Sequence, residues 1–372
     1  MKVLVLWADD RSANYGVRVL AEGAGHLSRE AWGDDIEIQW QDFGRPGLPG
    51  SFGVRAIVRD MLSFGRSGPI RSVLRCADIV VDTGAGDSFS DIYGLKRLFV
   101  MVYVQLRCIF LGKPLVLFPQ TIGPFHTRIG ALAAGAVLER AACVIAREPH
   151  SADVAVQNRA QEVLTSTDLV FALPVHAQPT HRRDVVVNVS GLLWFDNGHV
   201  SSSYYREQTI DLVRQLNDRG RRVTLLAHVV GSPSGNDDAT AIAQMLESGV
   251  KVEEVVIPTS LDQVRETLGS AAWVVGARMH ACLNAVSQGV PAISWGYSDK
   301  FLPLMDHLGW HTSLDLRKKP QAARQTIEHI DSSPLGVDDQ HLRSSLGKVR
   351  SSADGDLGSA VNVLRVVLGA VR

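Results

Sequence analysis

The chain has 372 residues, of which 45% are hydrophobic and 21% are charged, so its length predicts two globular domains. Its 38 basic and 39 acidic residues nearly cancel, which excludes a global field that would draw the protein onto nucleic acid or an anionic membrane. The four cysteines lie far apart among apolar residues, a pattern typical of packed, reduced thiols in a cytosolic protein.

The N-terminus, MKVLVLWADD, contains a short apolar run without a small-residue cleavage site, so it predicts a strand and not a signal peptide. The longest weakly polar stretch, residues 98–118, is interrupted by Arg107, Lys113 and Pro114. These interruptions predict a helix, a turn and a strand, and no transmembrane span.

Short runs rich in Val, Ile and Leu alternate with amphipathic segments, which is typical of parallel strands covered by helices. In the first half this pattern predicts strands at 3–7, 36–41, 79–82, 114–119, 143–146 and 163–165, and helices at 17–29, 54–64, 94–111, 129–140 and 149–158. The segment QDFGRPGLPGSFG is too rich in Gly and Pro for regular structure and predicts a loop.

A polar interval at 172–183 predicts a linker between two domains. The pattern then restarts, with strands at 185–189, 222–227, 251–256, 273–276 and 292–295, and helices at 204–219, 237–247, 261–269 and 279–288. After residue 335 a polar, Ser-rich segment precedes a last apolar helix near 358–371.

This alternation predicts an α/β protein with two Rossmann-like domains facing across a cleft. The expected N-terminal α/β domain covers 1–175 and the C-terminal α/β domain covers 183–335, while 336–372 holds the polar segment and the last helix. Open parallel sheets bind ligands beyond the carboxyl ends of their strands, so the loops after strands are where we expect chemistry.

The first such loop, ADDRSANYGVRVL, places Asn14 and Gly16 before a helix whose free amides can meet an anion, with Arg11 or Arg18 adding charge. The alternative is an ordinary Asx turn and helix cap.

The second loop, DTGAGDSFSDIYG, contains Gly84 and Gly86, which permit close backbone approach to a ligand. A lone GxG is a weak signal, and the carboxylates of Asp87 and Asp91 beside it strengthen the prediction of a site.

Two further loops follow buried strands. In FPQTIGPFH, a Gly-Pro turn is expected to present Gln120 and Thr121 inward, the alternative being a rigid loop without a ligand. In AREPHSADV, Arg147 and Glu148 precede a helix in a pattern that suits an anion contact, although the same pair can simply lie at the domain edge.

The fifth loop carries the strongest signal. Arg278 and His280 follow an apolar strand at the entry to a helix, and Tyr297 and Lys300 follow the next strand. A guanidinium matches a phosphate or carboxylate with two parallel hydrogen bonds, and a histidine can donate to the same anion or transfer a proton. Because an isolated buried charge is costly, a buried Arg278 predicts a bound anion.

Together these motifs resemble the polysaccharide pyruvyl transferase family. The features that carry the resemblance are Asn14 and Gly16, DTGAGDSFSD, PQTIGPF, AREPHS and, above all, ARMHACLNAVSQGVPAISWGYSDKF at 277–301. Two positions depart from the family pattern: Val17 follows Gly16 where an Asp is common, and Ala85 replaces the middle one of three glycines. The resemblance implies a fold similar to the two-domain GT-B glycosyltransferases.

The resemblance also implies a reaction, in which a pyruvyl group passes from phosphoenolpyruvate to two hydroxyls of a sugar and phosphate is released. In this scheme Arg278 and the helix amides form one anion clamp, Arg147 or Lys300 forms the other, His280 donates a proton, and Asp87 or Asp91 is the base. The implied substrate-binding residues are Asn14, Gly16, Gly84, Gly86, Gln120, Thr121, Arg147, Tyr297 and Lys300. The acceptor is expected on the N-terminal domain and phosphoenolpyruvate on the C-terminal domain.

No cofactor is expected, since phosphoenolpyruvate is the donor substrate. No metal is expected either, because the cationic groups can neutralise the leaving phosphate and the sequence has no His or carboxylate ligands clustered at metal spacing. The expected partners are phosphoenolpyruvate and a saccharide acceptor, free or lipid-linked, with no nucleic acid. The expected location is cytoplasmic, with peripheral attachment to a membrane left open. Two rival functions remain: a nucleotide-sugar glycosyltransferase of the same shape, and a noncatalytic protein that binds sugar phosphates.

Overall fold

The computed structural model describes residues 1–43, 52–63, 68–176, 181–232 and 235–371. The chain divides into two compact units: unit 1 comprises Met1–Arg11, Leu20–Leu173 and Ala353–Arg372, and unit 2 comprises Ser12–Val19 and Pro174–Ser352. The chain passes from unit 1 to unit 2 between Leu173 and Pro174, within the polar interval at 172–183. Most of the loop predicted at 41–53, and residues 177–180 of the predicted linker, lie outside the described residues.

Two segments belong to units that the sequence pattern did not assign to them. Residues 12–19 were placed in the N-terminal domain, but Asn14 forms a β-bridge with Val229 and the Tyr15 hydroxyl donates to the Pro258 carbonyl at 2.6 Å. Residues 353–372 were placed in a separate segment, but the Leu364 carbonyl accepts a hydrogen bond from the Trp32 indole. Long-range contacts of this kind determine which unit a segment belongs to, and they leave no periodic signal in the sequence.

Unit 1 is built around a parallel sheet that has six strands among the described residues, in the order β2-β1-β3-β4-β5-β6. The strands are β1 (Lys2–Leu6), β2 (Glu37–Gln41), β3 (Ile79–Asp82), β4 (Leu115–Gln120), β5 (Cys143–Ala146) and β6 (Val163–Thr165). The helices are α1 (Tyr15–Trp32), α2 (Val54–Leu62), α3 (Pro69–Cys76), α4 (Leu95–Phe110), α5 (Arg128–Leu138) and α6 (Pro149–Gln157). Every residue of β3, β4 and β5 is buried, as expected for central strands covered on both faces.

Unit 2 contains a second parallel sheet, also with six strands among the described residues, in the order β12-β11-β10-β7-β8-β9. Its strands are β7 (Arg183–Asn188), β8 (Val223–Leu226), β9 (Glu254–Val256), β10 (Ala271–Gly276), β11 (Ala292–Gly296) and β12 (Ser313–Asp315). Its helices are α7 (Gly191–Trp194), α8 (Ser202–Asp218), α9 (Asp238–Leu246), α10 (Leu261–Gly269), α11 (Met279–Ser287), α12 (Phe301–His307) and α13 (Ala322–Ser332), followed by α14 (Gln340–Val371).

Both strand orders are doubly wound, so the expected α/β class with two Rossmann-like units is confirmed. In unit 2 the chain runs outward from β7 through β8 to β9, then crosses to β10 and runs outward in the other direction. The strand order therefore reverses between β7 and β10. Crevices at such reversals are where open α/β sheets bind ligands.

The C-terminal region differs most from the prediction. The polar, Ser-rich segment after residue 335 is helical, because α14 begins at Gln340 and continues for 32 residues. α3, α7, α12, α13 and β12 were not predicted either. Each of the missed helices except α13 is shorter than about three turns, where periodicity gives little signal.

No helix within the described residues is long and apolar enough to cross a membrane. Among the cysteines, Cys108, Cys143 and Cys282 are buried and free, as the sequence predicted. Cys76 is exposed, so the expectation of a packed thiol was wrong at that position.

A buried carboxylate ties three helices of unit 1 together. Asp60 of α2 is fully buried and accepts hydrogen bonds from the Arg71 amide of α3 at 3.0 Å and the Tyr103 hydroxyl of α4 at 2.9 Å. The guanidinium groups of Arg71 and Arg107 lie 3.8 and 3.6 Å from the same carboxylate.

We expect Asp60→Asn to lower the free energy of unfolding by about 3 kcal/mol, because it leaves buried guanidinium charge without its counter-charge. The exposed Asp78, which accepts a bond from the Lys2 amide, provides the control. Asp78→Asn should change stability by less than about 1 kcal/mol. Chemical denaturation measures both, and equal effects of the two substitutions would contradict the prediction.

Candidate functional site

The candidate site of unit 2 lies at the carboxyl ends of three neighbouring strands. In the parallel register, Asn188 of β7 pairs with Leu226 of β8 on one side and with Gly276 of β10 on the other. The residues that follow these three positions therefore reach the same edge of the sheet, at the reversal of strand order. Arg278 and His280 lie at this edge.

Arg278 occupies the N-cap of α11 and makes no side-chain cap bond there. Its amide donates to Asn188 Oδ1 at 3.0 Å. Its guanidinium donates from Nε and Nη2 to Asp238 Oδ1, at 3.2 and 2.7 Å, and from Nη2 to the Asn236 carbonyl at 2.9 Å. The expectation that a buried Arg278 requires a bound anion was wrong, because Asp238 supplies the anion.

Asp238 is fully buried and connects several elements of this edge. Its Oδ1 accepts a bond from the Gly191 amide at 2.7 Å, and its Oδ2 accepts bonds from the amides of His228 and Val229 at 2.9 and 3.0 Å. Burial lowers the pKa of Arg278, but the adjacent carboxylate of Asp238 outweighs burial and raises it. Arg278 therefore stays charged, and the pair fixes the starts of α7, α9 and α11 together with the loop after β8.

His280 lies in the first turn of α11 and faces the loop that contains Asn14 and Gly16. A Cβ built on Gly16 would lie 2.8 Å from His280 Nδ1, so only glycine lets the backbone approach the imidazole so closely. The Gly16 amide donates to Asn14 Oδ1 at 2.9 Å, which is the Asx turn considered from the sequence. The structure thus brings together Asn14, Gly16, Arg278 and His280.

Tyr297 and Lys300 lie after β11, at the same edge of unit 2. The Tyr297 ring lies 5.1 Å from the His199 ring and 5.3 Å from the Phe301 ring, centroid to centroid. Burial, and then the charge of Lys300, lower the pKa of His199. These contacts place both predicted residues in a cluster of aromatic and imidazole rings.

In unit 1 the second predicted loop follows β3 and is organised by Asp82, which the sequence analysis did not single out. Asp82 is fully buried and accepts bonds from the Trp7 indole at 2.7 Å, the Gln105 amide at 2.9 Å and the Gly84 backbone amide at 2.8 Å. Burial raises the pKa of Asp82, against the effect of these hydrogen bonds. The carboxylate holds the start of the loop rather than facing solvent.

This loop also contacts the end of β4, as its position after a neighbouring strand predicts. Gln120 Nε2 donates to the Asp82 carbonyl at 2.8 Å, and the Thr121 amide donates to the Gly86 carbonyl at 2.9 Å. The structure therefore brings together Gly84, Gly86, Gln120 and Thr121.

The two predicted carboxylates of the loop have different surroundings. Asp91 accepts bonds from the amides of His126 and Thr127 and from the Thr127 hydroxyl, at 2.7 to 2.9 Å. Burial raises the pKa of Asp91, but these bonds prevail and lower it. Its oxygens are thus engaged in holding the start of α5, which weakens the prediction that Asp91 is a base. Asp87 Oδ2 accepts a bond from the Tyr93 hydroxyl at 2.8 Å.

Arg147, at the end of β5, is fully buried and pairs through Nη1 with Asp168 at 3.2 Å. Its neighbour Glu148 caps α6 by accepting a bond from the Ser151 amide. Among the described residues, the Nε and Nη2 atoms of Arg147 have no hydrogen-bond partner. Arg147 therefore has two donors that an anion could occupy, although the Asp168 carboxylate already balances its charge.

Four residues of these clusters, Asp82, Asp168, His228 and Asp238, were missed. The loop after β8, which contains His228 and leads to Asp238, was not among the five loops expected to carry chemistry. Two sequence patterns could have identified some of these four residues. One is an acid at the end of a buried strand, as in DTGAG, and the other is a histidine directly after such a strand, as in TLLAH.

Comparison with known proteins identifies the family and the fold. A family model described as polysaccharide pyruvyl transferase matches residues 3–299. The amylovoran biosynthesis protein AmsJ of Erwinia amylovora is 23% identical over 257 residues, which are 63% of this chain and 60% of AmsJ, so the chain spans less than two thirds of that relative.

Solved structures share the fold at low identity. UDP-GlcNAc 2-epimerase from Neisseria meningitidis has a TM-score of 0.60 at 10% identity, covering 98% of this chain and 99% of that one. Anabaena Alr3699/HepE has a TM-score of 0.54 at 12% identity over 100% of both chains. MurG from Acinetobacter baumannii has a TM-score of 0.53 at 11% identity, covering 98% and 99%. The expected GT-B-like fold class is thereby confirmed.

Ala85 gives a test of the loop after β3. Its φ of 49° lies in the left-handed region, where an L-residue with a Cβ is strained by about 1 to 2 kcal/mol. Ala85→Gly should therefore stabilise the protein by about 1 kcal/mol, seen as a higher unfolding temperature. Ala133→Gly, in the middle of α5, should destabilise it by a similar amount, and the same sign for both would contradict the loop geometry.

A double-mutant cycle tests the Arg278–Asp238 pair. Arg278→Ala and Asp238→Ala should each destabilise unit 2 by about 3 kcal/mol, because each leaves a buried charge uncompensated. The double variant should lose much less than the sum of the two, with a coupling of about 2 kcal/mol. The exposed pair Arg324–Glu328 is the control, with expected coupling below about 1 kcal/mol. Additive losses at 278 and 238 would show that the pair is not a unit.

Proposed function

Because the chain belongs to the polysaccharide pyruvyl transferase family, we propose that it transfers a pyruvyl group from phosphoenolpyruvate to two hydroxyls of a sugar in a glycan or glycolipid. The product is a cyclic pyruvate ketal, and inorganic phosphate is released. The observation that carries the proposal is the position of His280, in the first turn of α11 against the Asn14–Gly16 loop, within a chain that matches the family model over 3–299.

The anionic donor requires positive groups that are fixed before it binds. The first amides of α11 provide partial positive charge, since the N-cap side chain of Arg278 does not cap them. Lys300 adds a full charge at the same edge of unit 2. Arg278 itself serves mainly to position the helix end, because its guanidinium is already bonded to Asp238.

The protonation step falls to His280. Transfer of a proton to the methylene carbon of phosphoenolpyruvate makes the neighbouring carbon electrophilic and gives it oxocarbenium character. One sugar hydroxyl then adds to this carbon, and a second displaces the phosphate. Of the two hydroxyl protons, one replaces the proton given to the methyl group and the other leaves with phosphate, so the atoms balance without a redox step.

Two side chains of unit 1 support further roles within this proposal. Asp87 remains the candidate base for a sugar hydroxyl, because Asp91 is engaged by His126 and Thr127. Arg147 is the candidate second clamp for an anionic oxygen, because its buried Nε and Nη2 lack partners among the described residues. Two unfilled donors on one guanidinium match the two oxygens of a carboxylate or phosphate.

The structural relatives of this fold include proteins solved with UDP-sugars, so a nucleotide-sugar glycosyltransferase is the second candidate function. The two candidates differ in their products. Pyruvyl transfer releases inorganic phosphate from phosphoenolpyruvate, whereas a glycosyltransferase releases a nucleoside diphosphate. Incubation with phosphoenolpyruvate or UDP-sugar and a panel of saccharides, followed by measurement of both products, separates them.

His280→Ala should lower kcat by about 10²-fold or more while the binding of phosphoenolpyruvate changes little, because a general acid acts in the transition state. Phosphate release measures kcat, and calorimetry measures donor binding. His329→Ala, at an exposed position of α13, should leave both unchanged. Loss of donor affinity with kcat retained would make His280 a binding group and would contradict the assigned role.

A further inference from the structure

His228 is a buried imidazole at the candidate site of unit 2 that the proposed reaction does not use. It follows β8 and is 1% exposed. Its amide donates to Asp238 Oδ2 at 2.9 Å, and its carbonyl accepts a bond from the Tyr15 amide at 3.1 Å. Its ring packs edge-on against the Tyr15 ring, with centroids 6.1 Å apart. The backbone on both sides of the ring is thus fixed.

The two ring nitrogens of His228 have different partners. Among the described residues, Nε2 is buried and has no hydrogen-bond partner. A hydrogen bond between the ring and the residue's own backbone acts to raise the pKa of the ring, which is the effect of a ring N–H that donates to a carbonyl. Nδ1 is bonded to Cγ and so lies nearest the backbone, whereas Nε2 has no partner among the described residues, which assigns the proton to Nδ1. A neutral ring then carries its proton on Nδ1 and presents a lone pair at Nε2.

The surroundings keep this ring neutral. Burial, followed by the charges of His280 and Arg278, holds the pKa of His228 well below its usual range. Cationic groups therefore lie close to the ring, and protonation of Nε2 is disfavoured. A buried acceptor without a partner costs free energy until something donates to it.

The ligand that satisfies Nε2 must bring a hydrogen-bond donor. A carboxylate or an ionised phosphate has only acceptor oxygens, which a lone pair repels. A sugar hydroxyl donates one hydrogen bond and is uncharged, so it fits both the lone pair and the neighbouring cations. A monoprotonated phosphate could also donate, but the nearby positive charges favour its fully ionised form.

We propose that Nε2 of His228 accepts a hydrogen bond from a hydroxyl of a saccharide, which makes the loop after β8 a hydroxyl-binding position of unit 2. The identity of this saccharide as the pyruvyl acceptor rests on the proposed function, whereas the hydroxyl contact does not. The acceptor was expected on the N-terminal domain, and His228 adds a contact on unit 2.

The experiment observes the ring nitrogens directly. In protein labelled with ¹⁵N-histidine, the Nε2 resonance of His228 is assigned by its loss in His228→Gln. The free protein should show the Nδ1–H tautomer. Methyl β-D-glucopyranoside, galactopyranoside and mannopyranoside are titrated separately, and at least one should move the Nε2 resonance upfield, as a lone pair that accepts a hydrogen bond requires.

Separate titrations with phosphoenolpyruvate and with inorganic phosphate show whether the hydrogen bond to Nε2 comes from a phosphate and not from a sugar hydroxyl. Neither should reproduce the upfield movement. An Nε2–H tautomer in the free protein, a response to phosphate and to none of the three glycosides, or no response to any probe would each overturn the proposal. The readout needs no turnover, so an absence of ketal formation with a normal glycoside response would overturn the proposed function and leave the hydroxyl contact intact.

Two substitutions separate hydrogen bonding from packing. The amide of Gln reaches the position of Nε2, whereas the amide of Asn reaches only that of Nδ1. His228→Asn should therefore weaken binding of the responding glycoside by about tenfold, the loss expected for one hydrogen bond. His228→Gln should bind it within about threefold of wild type, and both variants should bind phosphoenolpyruvate normally. Equal losses in the two variants, or a loss of phosphoenolpyruvate binding, would show that His228 acts only in packing.

Discussion

The arrangement of unit 2 depends on one buried ion pair, Arg278 with Asp238. An unpaired charge at this depth is unfavourable by several kcal/mol, so neither residue is tolerable without the other. The carboxylate also accepts amides from the start of α7 and from the loop after β8. A single acid thus fixes three loops at the strand reversal. His280 is held in the first turn of α11 before any ligand binds. Preorganisation of this kind is what the proposed reaction requires.

The sequence predicted most of the fold because its elements are bounded by strong local signals. The strands Ile79–Asp82, Cys143–Ala146 and Val163–Thr165, and the helix Leu261–Gly269, have the predicted bounds. The long helix α14 was missed over its first half, where Ser and Gly lower helix propensity and tertiary contacts must supply the stability. The exchange of residues 12–19 into unit 2 was also missed, since the bond from Tyr15 to Pro258 joins positions remote in sequence.

The candidate site was predicted by location better than by chemistry. Position after a buried parallel strand brought together Gly84, Gly86, Gln120 and Thr121 in unit 1, and placed Arg278 and His280 at one edge of unit 2. Asn14 and Gly16 reach His280 through the exchange of residues 12–19 into unit 2. The sequence could not show which group each charged side chain pairs with. Periodicity places a residue at the end of a strand, but the partner of Arg278 lies 40 positions away on another element. The partners of Asp91 were not predicted for the same reason, since its amide donors come from residues 126 and 127.

The hydrogen bonds that each guanidinium already makes decide which arginine is the better anion ligand. Arg278 attracts attention through its motif, yet its Nε and Nη2 both donate to Asp238 or to a carbonyl. Arg147 belongs to a weaker motif, yet within the described ranges its Nε and Nη2 are buried without an acceptor. Buried donors without partners gain the most free energy from a hydrogen bond to an incoming oxygen, because they have already lost their hydrogen bonds to water. Arg278 is therefore engaged in organising the strand ends of unit 2, whereas Arg147 in unit 1 is the arginine with donors left for an anion.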